Sequence, residues 1–261
     1  MVDASITLTL SIELFKQRKA IYDMVAKPII KKFDTDVVVI GEGNVGKTTY
    51  INQLTATLNN SRFHPTQNHS KDIEHALVRV NNKTRPKKIV IIPGQVSYES
   101  YADGLQEHLV SPSTTSGLIY MVDWGYRVPR TQDIQLLLMS NGIRTIEDLT
   151  EYNRKTELEH FTATMAQATL SNIEWIFIVI NKTDLFHNKI GESINYYQQL
   201  FNPIINKYFN KIDIEFVPMT SVNHGLIYNG VTIPSITSPQ YTQEMMLANF
   251  MEKLSTVYLK G

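Results

Sequence analysis

Val37-Val38-Val39-Ile40 runs directly into Gly41-Glu42-Gly43-Asn44-Val45-Gly46-Lys47-Thr48, and this order decides the fold. A short, continuously apolar and β-branched run reads as a parallel strand buried on both faces. The glycines that follow let the backbone bend tightly and bring its N–H groups close to phosphate oxygens. A helix predicted over Thr48–Leu58 then presents its N-terminus, with unpaired donors and partial positive charge, to the same point. Strand, glycine-rich loop and helix are the parts of a phosphate cradle. In it Lys47 would reach the β- and γ-phosphates and the Thr48 hydroxyl would ligate Mg²⁺. A plain glycine turn before a helix leaves the Lys-Thr pair at this spacing unexplained.

Outward from this stretch, apolar runs alternate with helical patterns. Strands are predicted at Ile73–Val80, Lys88–Ile92, Gly117–Val122, Trp175–Ile180 and Ile214–Met219. Helices are expected around Tyr98–Leu109, Thr131–Ser140, from there to about Leu170, at Ser193–Tyr208 and at Gln240–Leu259. Asn229-Gly230, between β-prone flanks, predicts a small hairpin over Leu226–Ile233. Such alternation implies an α/β fold with a mostly parallel central sheet and helices on both faces. Ligands bind such sheets beyond the carboxyl ends of the strands. Gly41–Thr48, Pro93-Gly94-Gln95, Asn181–Asp184 and Thr220-Ser221 all fall there, so they are expected to share one site.

The chain of 261 residues is long enough for one large domain with its own core. Twenty-five basic residues balance twenty-five acidic ones, so no global field points to nucleic acid or an anionic membrane. The lack of cysteine excludes disulfides, thiolate metal sites and a cysteine nucleophile, and suits a cytoplasmic protein. Neither a secretory signal nor a run of the ~20 apolar residues that span a bilayer is recognisable. Residues 1–34 read as an N-terminal arm or helix, with Ile12, Phe15, Tyr22, Val25 and Ile29 at roughly helical spacing beside several lysines. A helix packed on its own domain is favoured over contact with a membrane, since Glu13 and Asp23 dilute the charge.

Asn181-Lys182-Thr183-Asp184 ends a buried strand downstream of the cradle. An aspartate there can accept from the N1–H and amino group of guanine, which adenine cannot reciprocate. Lys182 would lie along the base, and Asn181 would tie this loop to the phosphate loop.

With these motifs the chain resembles the Ras-like small GTPases over roughly residues 35–260, with some features of the Arf type. The resemblance implies a P-loop G domain that binds GTP and GDP with Mg²⁺ and hydrolyses GTP to GDP and phosphate. Gly43, Asn44, Val45, Gly46, Lys47, Thr48 and Thr49 would hold the phosphates, and Asn181, Lys182 and Asp184 would select guanine. Thr220-Ser221-Val222 is similar to the family's loop that touches the guanine oxygen, which brings in Ser221 and Val222. Pro65-Thr66 resembles the first switch, where Thr66 would join Thr48 on the metal and sense the γ-phosphate. In Ile91-Ile92-Pro93-Gly94-Gln95, Gly94 would meet the γ-phosphate and Gln95 would orient the attacking water. Ile91 stands where the family carries an aspartate coupled to Mg²⁺. That departure opens an alternative, a GTP- or GDP-binding interaction module with little hydrolysis, and makes Asp103 and Asp123 substitutes to consider. A P-loop kinase or ATPase is disfavoured by Asn181–Asp184. Insertions are expected at about 125–160 and 225–239, where a protein effector or regulator would bind along with the switch loops. His64 and His69 flank Thr66 and read as solvated, and Arg62, Arg127 and Arg130 are the arginines that an internal arginine finger would draw on.

Overall fold

A computed structural model describes residues 34–58, 73–78, 87–94, 98–112, 114–129, 131–237 and 241–259. The expected N-terminal arm, together with Arg62, His64, Thr66, His69, Gln95 and Arg130, lies outside the described residues.

The predicted strands pair into one six-stranded sheet. In chain order they are β1 (Thr35–Gly41), β2 (Glu74–Val78), β3 (Lys87–Ile91), β4 (Gly117–Val122), β5 (Trp175–Ile180) and β6 (Asp213–Pro218). Their order across the sheet is β2-β3-β1-β4-β5-β6. Pairing is parallel from β3 to β6, and β2 alone runs antiparallel, along the edge of β3. The mostly parallel sheet of a P-loop G domain is therefore present. A separate hairpin, β7 (Leu226–Tyr228) and β8 (Val231–Ile233), turns through Asn229 and Gly230, both at positive φ.

Strand side chains alternate between two apolar layers. Val38, Ile40, Leu118, Tyr120, Ile176 and Ile178 face one layer, and Val37, Val39, Ile119, Met121, Phe177 and Val179 face the other. The second layer is closed by α1 (Lys47–Leu58) and α6 (Gln243–Leu259), through Tyr50, Ile51, Leu54, Leu247, Phe250 and Leu254. The first is closed by α2 (Tyr98–Leu105, continued as a π-helical turn to Val110), α4 (Ile146–Ala168) and α5 (Ile190–Tyr208). Here Phe161 of α4 stacks on Phe201 of α5 with ring centroids 3.7 Å apart. Each ring is fully buried, a contribution of about 1.5–3 kcal/mol apiece.

Two further elements follow β4 and β6, namely a helix and the β7–β8 hairpin. α3 (Gln132–Ser140) precedes α4, and the turn between them is fixed by Gly142 at φ +88° and by a capping box of Thr145 with Asp148. The β7–β8 hairpin lies against this turn. The Tyr228 hydroxyl donates to the Ile143 carbonyl at 2.6 Å and the Asn229 side-chain amide to that of Arg144 at 3.0 Å.

Candidate nucleotide site

The loop after β1 takes the conformation that its glycines predict. Gly41, Asn44 and Gly46 have φ of 146°, 66° and 94°, a run of positive values that turns the chain back over the start of α1. A side chain at Gly46 would press within 2.5 Å of the Asn181 amide nitrogen. Lys47 is buried, and its ammonium donates to the Gly41 and Glu42 carbonyls at 2.7 and 2.8 Å. The lysine is thus held along the loop at the mouth of α1. The Thr48 hydroxyl donates to Glu74 of β2 at 2.9 Å.

Asn181, at the end of β5, joins three segments. Its amide donates to the Val45 carbonyl at 2.7 Å, and its side-chain oxygen accepts from both the backbone N–H and the hydroxyl of Ser221 at 3.0 Å. Thr183 repeats the tie one step further on, with its hydroxyl on the Met219 carbonyl and beside the Thr220 hydroxyl. Between these loops opens a cleft of about 520 Å³, with Gly46, Thr49, Asn181, Lys182, Ser221 and Val222 in its wall. Tyr126 and Leu226 line its rim. A neighbouring cavity of about 240 Å³ is bordered by Glu42, Gly43, Asn44 and Gly94. Gly94 packs directly on the phosphate loop, since a Cβ there would meet the Gly41 carbonyl oxygen at 2.4 Å. Asn44 donates to the Val128 carbonyl at 3.1 Å, and Val128 lines both cavities.

Asp184 sits differently from the others. It lines a small adjoining pocket with His187, Thr220 and Tyr241 rather than the large cleft. Its carboxylate oxygens are buried and accept no full hydrogen bond among the described residues. Burial raises its pKa, against the opposing pull of Ser235, of backbone N–H groups at Asp184 and His224, and of the Lys182 charge.

Beneath the cleft lies a buried charge network. Lys182, at φ +60°, donates to Asp123 at 2.6 Å and to the Tyr126 carbonyl at 2.8 Å. Arg127 donates to Asp123 at 3.1 Å, to Glu157 at 2.6 Å and to the Asn153 carbonyl at 3.1 Å. Glu157 also accepts from the Tyr197 hydroxyl and the Asp123 N–H. Burial lifts the Asp123 pKa, but Lys182 and Arg127 overcome it and the net shift is downward. Glu157 goes the other way, to about 7, because burial and the Asp123 charge outweigh Arg127. Two sequence-based options end here. Asp123 is spent on two cations and is not placed to serve a metal, and Arg127 is a buried ion-pair partner rather than a finger. Asp103 is exposed on α2. Asn153 and Glu157 were not anticipated. The signal was the series Leu149, Asn153, Glu157, Phe161 and Met165, four residues apart, which puts two polar side chains on the core face of α4.

Fold and site together define a P-loop GTPase domain. The profile described as 50S ribosome-binding GTPase matches residues 36–182, more than half of the chain, and the chain belongs to that family. A search of curated proteins finds no match. Among solved structures the chain is similar to a GTP-binding protein from the hyperthermophilic archaeon Sulfolobus solfataricus in complex with GDP. That match has 15% identity and a TM-score of 0.42, and covers 83% of this chain and 55% of that one. It is also similar to the bacterial selenocysteine-specific elongation factor EF-Sec, with 20% identity, a TM-score of 0.40, and 72% and 26% of the two chains covered. The chain thus spans about half, or less, of the length of these structures.

Proposed function

We propose that this domain is a guanine-nucleotide switch that binds GTP and GDP with Mg²⁺ and hydrolyses GTP slowly. The observation that carries the reading is Asn181, which ties the phosphate loop, its own loop and the loop after β6 around one cleft. In this reading Gly43, Asn44, Val45, Gly46, Lys47, Thr48 and Thr49 hold the phosphates. Lys182, braced by Asp123, lies along the base, and Ser221 and Val222 border it. The Asp184 carboxylate selects guanine. Buried without a full partner, it is the acceptor that two N–H donors of guanine would satisfy, and it turns out of its small pocket to meet them. Thr66 and Gly94 respond to the γ-phosphate and Gln95 positions water, with Thr66 and Gln95 assigned from sequence alone.

The donor chemistry suits magnesium. Thr48 and the Glu74 carboxylate beside it are hard oxygens, and the chain has no thiolate to offer a softer metal. Bound there, Mg²⁺ would neutralise charge on the β- and γ-phosphates. Residues 35–261 form the switch domain and residues 1–34 an arm. A protein effector or regulator would read the switch loops or the additions around α3, where Ile134, Leu136 and Leu137 are exposed. No helix among the described residues is long and apolar enough to cross a membrane. A cytoplasmic site suits the cysteine-free chain.

Single-turnover release of phosphate from [γ-³²P]GTP, with Mg²⁺ and with EDTA, tests this. Mg²⁺-dependent binding that resists excess ATP, with turnover on the order of 10⁻⁴–10⁻² s⁻¹, is expected. Equal, weak binding of GTP and ATP would end the reading. A second reading, a nucleotide-bound interaction module, is favoured by Ile91, which is buried in the α1-side core. A Gln95→Leu variant separates the two, because it has no turnover to remove in the second case.

A further inference from the structure

Ile91 leaves β3 without the carboxylate that the resemblance leads one to expect, and Glu74 stands directly across the ladder from it. β2 and β3 are antiparallel, with Glu74 paired to Ile91. Paired residues on neighbouring strands project from the same face of a sheet, about 5 Å apart. Ile91 projects into the layer closed by α1, and the Glu74 side chain accordingly reaches α1, where its carboxylate accepts from Thr48 at 2.9 Å. A carboxylate moved sideways by one strand is thereby returned to the hydroxyl beside Lys47. The spacing of the two oxygens carries further meaning. Mg²⁺ holds oxygens octahedrally at 2.0–2.1 Å, so adjacent ligands in its shell lie about 2.9 Å apart. Thr48 and Glu74 already have the separation of two such neighbours.

Other carboxylates are placed for other work. Asp123 is paired with Lys182 and Arg127, Asp103 is exposed on α2, and Glu42 borders the cavity on the Arg127 side of the phosphate loop. No described cluster of three or more acidic or histidine side chains offers a site of its own. Mg²⁺ at a nucleotide asks for less, namely one or two protein oxygens beside the phosphates and water.

Resting on the nucleotide site argued above, we propose that Glu74 supplies the carboxylate of the magnesium shell in this chain, beside Thr48, from β2 instead of β3. Ile91 is then not a lost function. The acidic ligand has crossed to the neighbouring strand, and the edge strand β2 becomes the element that answers to the metal.

The test titrates Mg²⁺ against the affinity of the full chain for fluorescent N-methylanthraniloyl-GDP, in the wild type and in Glu74→Gln. In the wild type, EDTA weakens nucleotide binding. In Glu74→Gln, the Mg²⁺ concentration giving half the effect rises ~10–100-fold, while affinity in EDTA stays within about twofold of the wild type. An unchanged Mg²⁺ midpoint overturns the inference. So does an equal loss with and without Mg²⁺, which would make Glu74 a brace for Thr48 only. If Glu74→Gln does not fold, Fe²⁺ loaded in place of Mg²⁺ on the wild type maps the site by backbone cleavage: peroxide oxidises the Fe²⁺ to Fe³⁺ and yields hydroxide and the cutting hydroxyl radical, and ascorbate reduces the Fe³⁺ back to Fe²⁺. Cuts near both Thr48 and Glu74 are expected, and cuts near Thr48 without Glu74 overturn the inference. Wild type that binds GDP indifferently to Mg²⁺ overturns it while leaving nucleotide binding intact. Wild type that binds no guanine nucleotide instead removes the proposed function itself.

Discussion

Asn181 donates its side-chain amide to the Val45 carbonyl at 2.7 Å, joining residues 136 positions apart in the chain. The same side chain accepts two bonds from Ser221. Replacement by alanine would leave the buried Val45 carbonyl and Ser221 N–H without these partners, at about 1–3 kcal/mol for each group stranded. Asn181→Ala is expected to lower the urea midpoint by the equivalent of at least about 2 kcal/mol and to weaken GDP binding at least ~tenfold. Binding unchanged in a folded variant would show that the cleft does not need this tie.

Gly94 tests the contact between the second switch and the phosphate loop. A Cβ there would overlap backbone of Gly41, Glu42 and Gly43 at 2.4–2.6 Å, and backbone cannot swing aside as a flexible side chain can. Gly94→Ala is expected to cost about 1–3 kcal/mol of stability in equilibrium unfolding, or to force the loops apart. In the second case the protein melts normally but loses affinity for GTP more than for GDP.

Asp123 offers a test of the buried network. Asp123→Asn removes one negative charge from a group shared with Arg127, Lys182 and Glu157. Breaking such a pair from one side is expected to destabilise by about 3–5 kcal/mol. Lys182 loses its anchor as well, so nucleotide affinity should fall even in the folded fraction. Calorimetric melting with a parallel binding titration separates the two effects.

His160 supplies a pH dependence with a definite sign. Its pKa is lowered from 6.5 to about 3 by burial, with the Lys47 and Arg127 charges adding to the shift, and its Nδ1 lies 2.7 Å from the Tyr120 hydroxyl. Below pH 6.5 the unfolded chain takes up a proton that the folded chain refuses, so stability falls as pH drops from 6.5 toward 3. Above 6.5 the group contributes nothing to the slope. His160→Gln should remove up to about 3 kcal/mol of the loss between pH 7 and pH 4.5. Urea melts at the two pH values give the difference directly.

The sheet was legible because its strands are continuous apolar runs at positions where only a two-sided core can receive them. Gly117–Val122 and Trp175–Ile180 fall at the very residues predicted, while the half-exposed β6 and edge strand β2 shift by a residue or more. The phosphate loop was legible for a different reason, since Gly41, Gly46, Lys47 and Thr48 carry their geometry in residue type and spacing. What escaped was long-range polar pairing. Nothing local to Arg127 tells that it is buried between Asp123 and Glu157, and nothing local to Glu74 tells that β2 lies antiparallel to β3 and opposite Ile91. Those facts belong to strand order and register. Asp123 and Arg127 were therefore open as a metal ligand and a finger until the network closed around them.

The bonds from Tyr228 to Ile143 and from Asn229 to Arg144 fasten the β7–β8 hairpin to the turn between α3 and α4, and the hairpin's Leu226 and Ile227 line the cleft. The cleft wall also carries Tyr126, Val128 and Pro129 and, from the segment after β6, Ser221, Val222, His224 and Gly225. Neutral hydrogen bonds contribute ~1 kcal/mol each, far less than a strand of the sheet. Loosening this join is therefore expected to cost little of the fold's stability, because the six strands keep their register without it.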